Sequence, residues 1–403
     1  MDHGRRHEHR ERARRGHQHP GPPALCGARD MSEARILIVD DDAAMLRSTE
    51  RVLGSRHEVL AVRLPGEALV IAPDFAPDIA LLDIRMSHMD GFELATRLRK
   101  VVPDVDVIFM TGVVHELDAQ LIRSIREKAF YFVQKPFDRD VLITLVERCL
   151  EVRRLNAENR AHTQRLEAEL QEARAFQLGL MPQGTQRLQR VTVSARYEAC
   201  AAMGGDFYDW VDAGRGGVSV IQADVSGHGV SAAMMVGIIK AAYRATRVDR
   251  FEPLAVVRRI ANAIAPFDEG RFVTLFAGRI FRDDRMLEYV TAGHPRPLIR
   301  RVEGSLDELQ LTGPLVSPAL PELDWEQTRA EIHPGDQLLI YTDGIIEARN
   351  GGEQFGRERL AQVVTSGAHE GEALLDRVLG AVDEWRGGRP ADDDETLLGV
   401  SLD

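Results

Sequence analysis

Short apolar runs recur between Arg35 and Gln134, and each stops at a polar or acidic residue. ILIVD (Ile36–Asp40), EVLAV (Glu58–Val62), IALLD (Ile79–Asp83), DVIFM (Asp106–Met110) and FYFVQ (Phe130–Gln134) predict five strands. Helically spaced segments alternate with them, the α/β pattern of a parallel sheet covered on both faces. The pattern then changes. From Asp138 to Leu180 there is no proline and one glycine, Gly179. Leu145, Val152, Asn159, Leu166, Ala173 and Leu180 recur every seven residues, as along one coiled-coil seam. The companion positions Leu155, His162, Glu169 and Phe176 are only half apolar. A continuous helix here would be about 60 Å long at ~1.5 Å per residue, and Pro182 ends it.

Past Pro182, the runs VTVSARY, VSVIQAD, FVTLFAGRIF, MLEYVTAGH, DQLLIYTD and TLLGVSL read as strands broken by glycine turns. Helical stretches fall at 232–246, 253–265, 357–366 and 370–386. Strands and helices in separate runs predict an α+β domain with a mixed or antiparallel core. The chain therefore divides into a tail (1–32), an α/β domain (33–140), a helical linker (141–182) and a second domain (183–403).

Composition narrows this picture. The tail's first 30 residues hold seven arginines and five histidines and nothing to build a core, so disorder is expected there, and Met31 is an alternative start of translation. A net charge of −12 argues against nonspecific nucleic-acid or acidic-membrane binding. Cys26, Cys149 and Cys200 have no metal-site or disulfide spacing, and no apolar run approaches the ~18 residues of a membrane span, so a reducing cytoplasm is expected.

In parallel sheets, chemistry gathers at the carboxyl ends of the strands. Here those ends carry Asp40, Asp41, Asp83, Thr111 and Lys135. Asp40, Asp41 and Asp83 suit Mg²⁺. Asp83 is the candidate nucleophile for an acyl phosphate, Lys135 offsets the added charge, and Thr111 donates a hydrogen bond to a phosphoryl oxygen. ILIVDDD, LLDIRMSHMDGFEL, IFMTG and VQKPF resemble, in order and spacing, the receiver domain of two-component response regulators. The resemblance implies a flavodoxin-like fold, phosphorylation of Asp83 by a sensor histidine kinase, and the Arg85 carbonyl as a further metal ligand. Ser87 stands where receivers usually have proline, and Phe132 where they commonly have tyrosine.

The second domain has acids at strand ends too. Asp206 follows two glycines, Asp224 ends VSVIQAD, Asp343 ends QLLIYTD, and Asp392, Asp393 and Asp394 precede the last strand. Four converging carboxylates would resist ionisation without cations. Two divalent ions bridged by one carboxylate resolve this, clamping phosphate oxygens and acidifying a shared water. ELQEARAFQLGLMP, MGGDFYDW, ADVSGHG, FVTLF, TAGHPRP, PGDQLLIYTDGIIEARN, FGRERL and DDET resemble the bacterial PPM-type serine/threonine phosphatases of the sporulation-phosphatase and sigma-regulator branch. That family implies a β-sandwich flanked by helices, two Mn²⁺ or Mg²⁺ ions, and hydrolysis of phosphoserine or phosphothreonine. It makes Asp224 the bridging ligand with the Val225 carbonyl beside it, and Asp206, Asp343 and Asp393 the remaining acids. Thr396 sets the last register, with Asp392 competing for the place of Asp393. Thr291 stands where asparagine usually precedes Ala-Gly-His. His228 and His294, both in glycine turns, are read as structural.

Together these features predict a phosphatase-output response regulator that dimerises through its linker, and the family resemblance implies a phosphorylated anti-sigma-factor antagonist as its substrate. The opposing kinase is expected in trans, because the chain ends directly after the last phosphatase strand. A noncatalytic adaptor is the competing reading, disfavoured because every aspartate is retained. The Gly204–Phe207 string GGDF resembles a diguanylate cyclase signature, but it lacks the glutamate and leaves the other aspartates without a role.

Overall fold

The computed structural model describes residues 33–112, 131–267, 270–281, 283, 285–320, 322–367 and 371–402. The expected tail and Phe130 lie outside them. The chain forms two compact units that divide between His162 and Thr163, inside the linker helix.

In the first unit, β1 (Arg35–Val39), β2 (Glu58–Val62), β3 (Ile79–Asp83), β4 (Asp106–Thr111) and β5 (Tyr131–Gln134) form one sheet in the order β2-β1-β3-β4-β5, every pair parallel. Side chains alternate between the faces of a strand, so β1 serves two cores. Ile36 and Ile38 join one apolar cluster, and Leu37 and Val39 the other. Helices α1 (Ala43–Leu53), α2 (Pro65–Phe75) and α3 (Gly91–Val101) alternate with the strands. The third aspartate of the DDD run starts α1, where the Asp42 carboxylate accepts the Ala44 N–H (2.8 Å) and the Met45 N–H (3.3 Å). Asp90 starts α3 in the same way, accepting the Glu93 N–H at 2.7 Å.

The linker is one helix, α4 (Arg139–Leu180). Its first turns bury Leu142, Val146 and Cys149 with Ile36 and Ile38. Its last turn sets Leu178 and Leu180 against the second unit's core. Between them Val152, Leu155, Leu166, Leu170 and Phe176 stay exposed, Phe176 at 72%.

The second unit contains two antiparallel sheets. One runs β14 (Thr328–Glu331), β11 (Met286–Ala292), β10 (Val273–Phe281), β9 (Gly217–Val225), β8 (Asp206–Gly214). The other runs β13 (Leu306–Glu308), β12 (Leu298–Arg300), β15 (Gln337–Tyr341), β18 (Glu395–Leu402), β7 (Val191–Glu198), β6 (Gln186–Leu188). Strand parity again divides the apolar side chains. Leu338 and Ile340 share a core with Val220 and Phe276 of the other sheet, whereas Leu339 and Tyr341 pack with α8 (Gly356–Thr365) and α9 (Glu372–Arg386). Helices α5 (Val230–Ala245) and α6 (Pro253–Ile264) belong to the first core through Val236, Ile239, Val256 and Ile260, each worth ~1.5–3 kcal/mol on full burial. A short α7 (Asp343–Glu347) follows β15, and β16 (Arg349–Asn350) pairs with β17 (Glu353–Gln354).

Several short strands (β6, β12, β13, β14, β16 and β17) lie outside the sequence reading, and two further unpredicted elements bear on the acidic site. Strand β8 holds Asp206, Asp209 and Asp212, three residues unfavourable in strands. Asp209 is nevertheless fully buried, because Arg244 of α5 holds it with two bonds of 2.6 and 2.7 Å. The other unpredicted element is α7, which turns the chain straight after Asp343. Among the described residues, no helix is long and apolar enough to cross a membrane.

Candidate functional sites

In the first unit the strand ends bring Asp40, Asp41 and Asp83 together, with carboxylate oxygens within 4.8 Å of one another. Lys135 lies between two of them, its Nζ 2.7 Å from Asp40 and 2.9 Å from Asp83. The Asp40 carboxylate also accepts the Asp42 N–H (3.0 Å), and Asp41 accepts the Ser87 N–H (3.0 Å). Burial pushes Asp83 above the usual carboxylate range against the pull of Lys135. Burial also pulls on the Lys135 ammonium, but its bonds to Asp40 and Asp83 outweigh that and raise it. Thr111 is buried at the end of β4, and its carbonyl accepts the Lys135 N–H at 2.7 Å. Phe132 stacks on Phe109 with centroids 5.5 Å apart, so it lies among apolar side chains. Three close carboxylates and one shared ammonium leave oxygens free, which fits a hard divalent cation.

In the second unit Asp206 and Asp224 are directly paired across β8 and β9. The glycine before Asp206 is required by close approach, since a Cβ on Gly205 would lie 2.4 Å from the Val225 carbonyl oxygen. Asp343 follows β15, and a Cβ on Gly344 would lie 2.2 Å from the Asp394 carbonyl oxygen. That glycine lets the Asp343 turn and the Asp393–Asp394 backbone meet.

Burial, then Asp224 and Asp394, holds Asp206 well above the usual range, although Thr396 and Thr342 donate hydrogen bonds to it. Asp224 is pushed up to about 8 by burial and by Asp343, Asp393 and Asp394. Asp343 and Asp393 are raised as well, chiefly by loss of solvent around the carboxyl, which for Asp393 is only partial because the residue as a whole is exposed. Among the described residues no lysine or arginine forms an ion pair with these four acids. These carboxyls are near enough to raise one another, although among the described residues only Asp40, Asp41 and Asp83 form a group of three with oxygens within 4.8 Å of one another; divalent cations would remove the repulsion in the second cluster.

The DDD run before β18 divides by role. Asp392 and Asp393 are exposed, whereas Asp394 is buried. The Asp394 carboxylate accepts the Cys200 N–H (2.9 Å) and the Gly205 N–H (2.6 Å), so it ties the Asp206 loop to β18 and has less capacity left for a metal. The Thr342 and Asp394 roles escaped the sequence reading, although a hydroxyl directly before Asp343 was a signal for the first.

His294 is buried, bonded through Nδ1 to the Thr274 hydroxyl (2.9 Å) and held down to about 3 by desolvation, which suits a neutral structural group. His228 is exposed, and the buried Thr291 hydroxyl has no hydrogen-bond partner.

A parallel sheet with an acid–lysine strand-end site, followed through one helix by two antiparallel sheets with clustered acids, is the arrangement of a receiver-type domain and a phosphatase-type domain in one chain. Residues 36–147 match the response regulator receiver domain, and residues 214–403 match stage II sporulation protein E (SpoIIE). Asp224, Asp343 and Asp393 lie within the second match, and Asp206 lies before it.

The chain is 28% identical over 265 residues to protein IcfG of Synechocystis sp., covering 58% of this chain and 41% of that protein. It is 28% identical over 220 residues to the C4-dicarboxylate transport transcriptional regulatory protein DctD of Pseudomonas aeruginosa, covering 49% of this chain and 47% of that one. The chain thus spans less than half the length of these curated relatives. The solved SiaA-PP2C domain of Pseudomonas aeruginosa superposes with a TM-score of 0.52 at 20% identity, covering 60% of this chain and 99% of the domain, which shows the fold.

Proposed function

We propose that the chain is a phosphorylation-controlled phosphoprotein phosphatase. In this reading a sensor histidine kinase phosphorylates Asp83, and the output domain removes phosphate from phosphoserine or phosphothreonine on a partner protein. The observation that carries it is the mutual influence of Asp206, Asp224, Asp343 and Asp393, with no lysine or arginine ion pair to any of them among the described residues. Bound there, two Mn²⁺ or Mg²⁺ ions would clamp phosphate oxygens and supply a nucleophilic water near neutral pH.

The chain's own groups hold that arrangement. Asp224 and the Val225 carbonyl sit at the end of β9, Thr342 and Thr396 orient Asp206, and Asp394 fixes the loop before it. In the receiver, Asp40, Asp41, Asp83 and the Arg85 carbonyl would hold Mg²⁺, Lys135 stays beside the phosphorylated carboxylate, and Thr111 donates to it. The substrate class, an anti-sigma-factor antagonist, rests on the family resemblance. The uncovered apolar seam of α4 supports pairing with a second copy of the chain.

The test is hydrolysis of p-nitrophenyl phosphate and of a phosphoserine protein by the full chain with added Mn²⁺. Turnover that depends on Mn²⁺ and disappears in Asp224→Asn is expected. Silence on both substrates would move the reading to a noncatalytic adaptor.

A further inference from the structure

Helix α4 is solvent-exposed over most of its middle, yet near its end one polar side chain is almost completely covered. Gln177 is 3% exposed, and its Nε2–H donates to the Gly204 carbonyl at 2.7 Å. Gly204 belongs to the loop that delivers Asp206, and the next N–H, that of Gly205, is bound by Asp394. One side of this loop is thus fixed by β18 and the other by the linker helix.

The helix end that carries Gln177 is anchored independently. Met181 is buried in the second unit's core. The Leu180 carbonyl accepts a bond from the Lys240 ammonium of α5, and Gln183 Nε2 donates to the Leu178 carbonyl (3.2 Å) and the Met181 carbonyl (3.3 Å). These contacts satisfy carbonyls that a helix terminus leaves open. The Gln177 bond satisfies no helix-end carbonyl; its acceptor is the loop.

We infer that Gln177 is a positioning residue for the metal site: through the Gly204 carbonyl it sets the placement of Asp206, so that the affinity for divalent cation depends on the last turn of α4. The inference rests on the metal-phosphatase reading and deepens it. An oriented carboxylate binds an ion more tightly than a wandering one, and loss of such supporting groups weakens metal binding by roughly 10–100-fold.

The test uses the full chain and Gln177→Met, which keeps the length and packing of the side chain but removes its donor. Mn²⁺ binding is measured by titration calorimetry, and the Mn²⁺ dependence of p-nitrophenyl phosphate turnover is measured alongside. The variant should bind Mn²⁺ about tenfold more weakly and need correspondingly more for half-maximal turnover, with kcat at saturating Mn²⁺ within about twofold of wild type. Gln177→Asn, whose amide is too short to reach Gly204, should behave alike, and it decides the matter if the methionine variant fails to fold. Gln177→His, which restores a ring N–H, should recover part of the affinity. Unchanged Mn²⁺ affinity in a folded variant overturns the inference while leaving the phosphatase reading intact. A wild-type chain that neither binds Mn²⁺ nor turns over substrate overturns both.

Discussion

Asp206 and Asp224 face each other as one antiparallel pair on β8 and β9. Directly opposed side chains in such a pair have Cβ atoms about 4.5–5.5 Å apart, a spacing at which like charges destabilise a sheet. Both carboxyls are held above their usual range, in each case first by burial. The metal-free chain therefore carries a built-in repulsion at the point where its sheet opens.

Replacing Asp224 with asparagine should remove that repulsion. Metal-free Asp224→Asn is expected to gain about 1 kcal/mol, or roughly 2–4 °C in melting temperature. It should also lose the further stabilisation that Mn²⁺ gives wild type. Differential scanning calorimetry with and without Mn²⁺ reads both effects. A destabilised variant still protected by Mn²⁺ would mean that Asp224 is not a ligand.

Lys135 is the counter-charge for the buried Asp40 and for Asp83. Lys135→Met leaves both carboxylates unpaired and should cost about 3–5 kcal/mol, the scale for removing one partner of a buried pair. Mg²⁺ should restore part of the loss by taking over the neutralisation. Trp210, Trp325 and Trp385 all lie in the second unit, so receiver unfolding is followed by far-UV circular dichroism in urea rather than by tryptophan fluorescence. Equal stability of wild type and variant in the absence of Mg²⁺ would remove Lys135 from this role.

His294 gives the second unit a pH dependence. Desolvation lowers it from 6.5 to about 3, so the folded chain keeps it neutral where the unfolded chain protonates it. The unfolded state then binds more protons between these values, and stability falls as pH drops below 6.5. The contribution lost at about pH 5 is about 2 kcal/mol, at ~1.4 kcal/mol per pH unit. Tryptophan-monitored urea melts should show this loss in wild type and a flatter profile in His294→Gln. Parallel profiles would place the pH sensitivity elsewhere.

The seam of α4 leaves Leu155 and Leu166 half exposed, at 50% and 46%. If a second copy covers it, Leu155→Glu combined with Leu166→Glu should halve the mass seen by light scattering at micromolar concentration. The same mass for variant and wild type would exclude α4 as the contact.

Much of this was legible in the sequence because buried strands, parallel in the first unit and antiparallel in the second, read as largely apolar runs, and the acids that end them stand out. Asp40, Asp83, Asp224 and Asp343 each close such a run. Strand β8 was not legible, since Asp209 looks foreign to a strand until Arg244 and Lys240 of α5 are folded against it. Nor could the DDD run be divided by inspection. What sets Asp394 apart from Asp393 is the arrival of the Cys200 and Gly205 N–H groups from a distant segment. Thr342 is a similar case: the β15–β18 pairing sets it beside Thr396, and its hydroxyl reaches Asp206 only because the end of β8 in the other sheet comes against that pair. Pattern along the chain identifies donors, and tertiary contact decides which of them are restrained.

Strands β15 and β18 carry apolar side chains into separate cores on their two faces. Backbone amides in such doubly clamped strands exchange with solvent only through near-global opening, and Asp343 and Asp393 are attached to their ends. The placement of these two carboxylates is thus an outcome of folding. Under the metal-phosphatase reading, gain and release of cation would be ligand exchange on a standing scaffold, and a signal that tunes occupancy would have only a few local contacts to move.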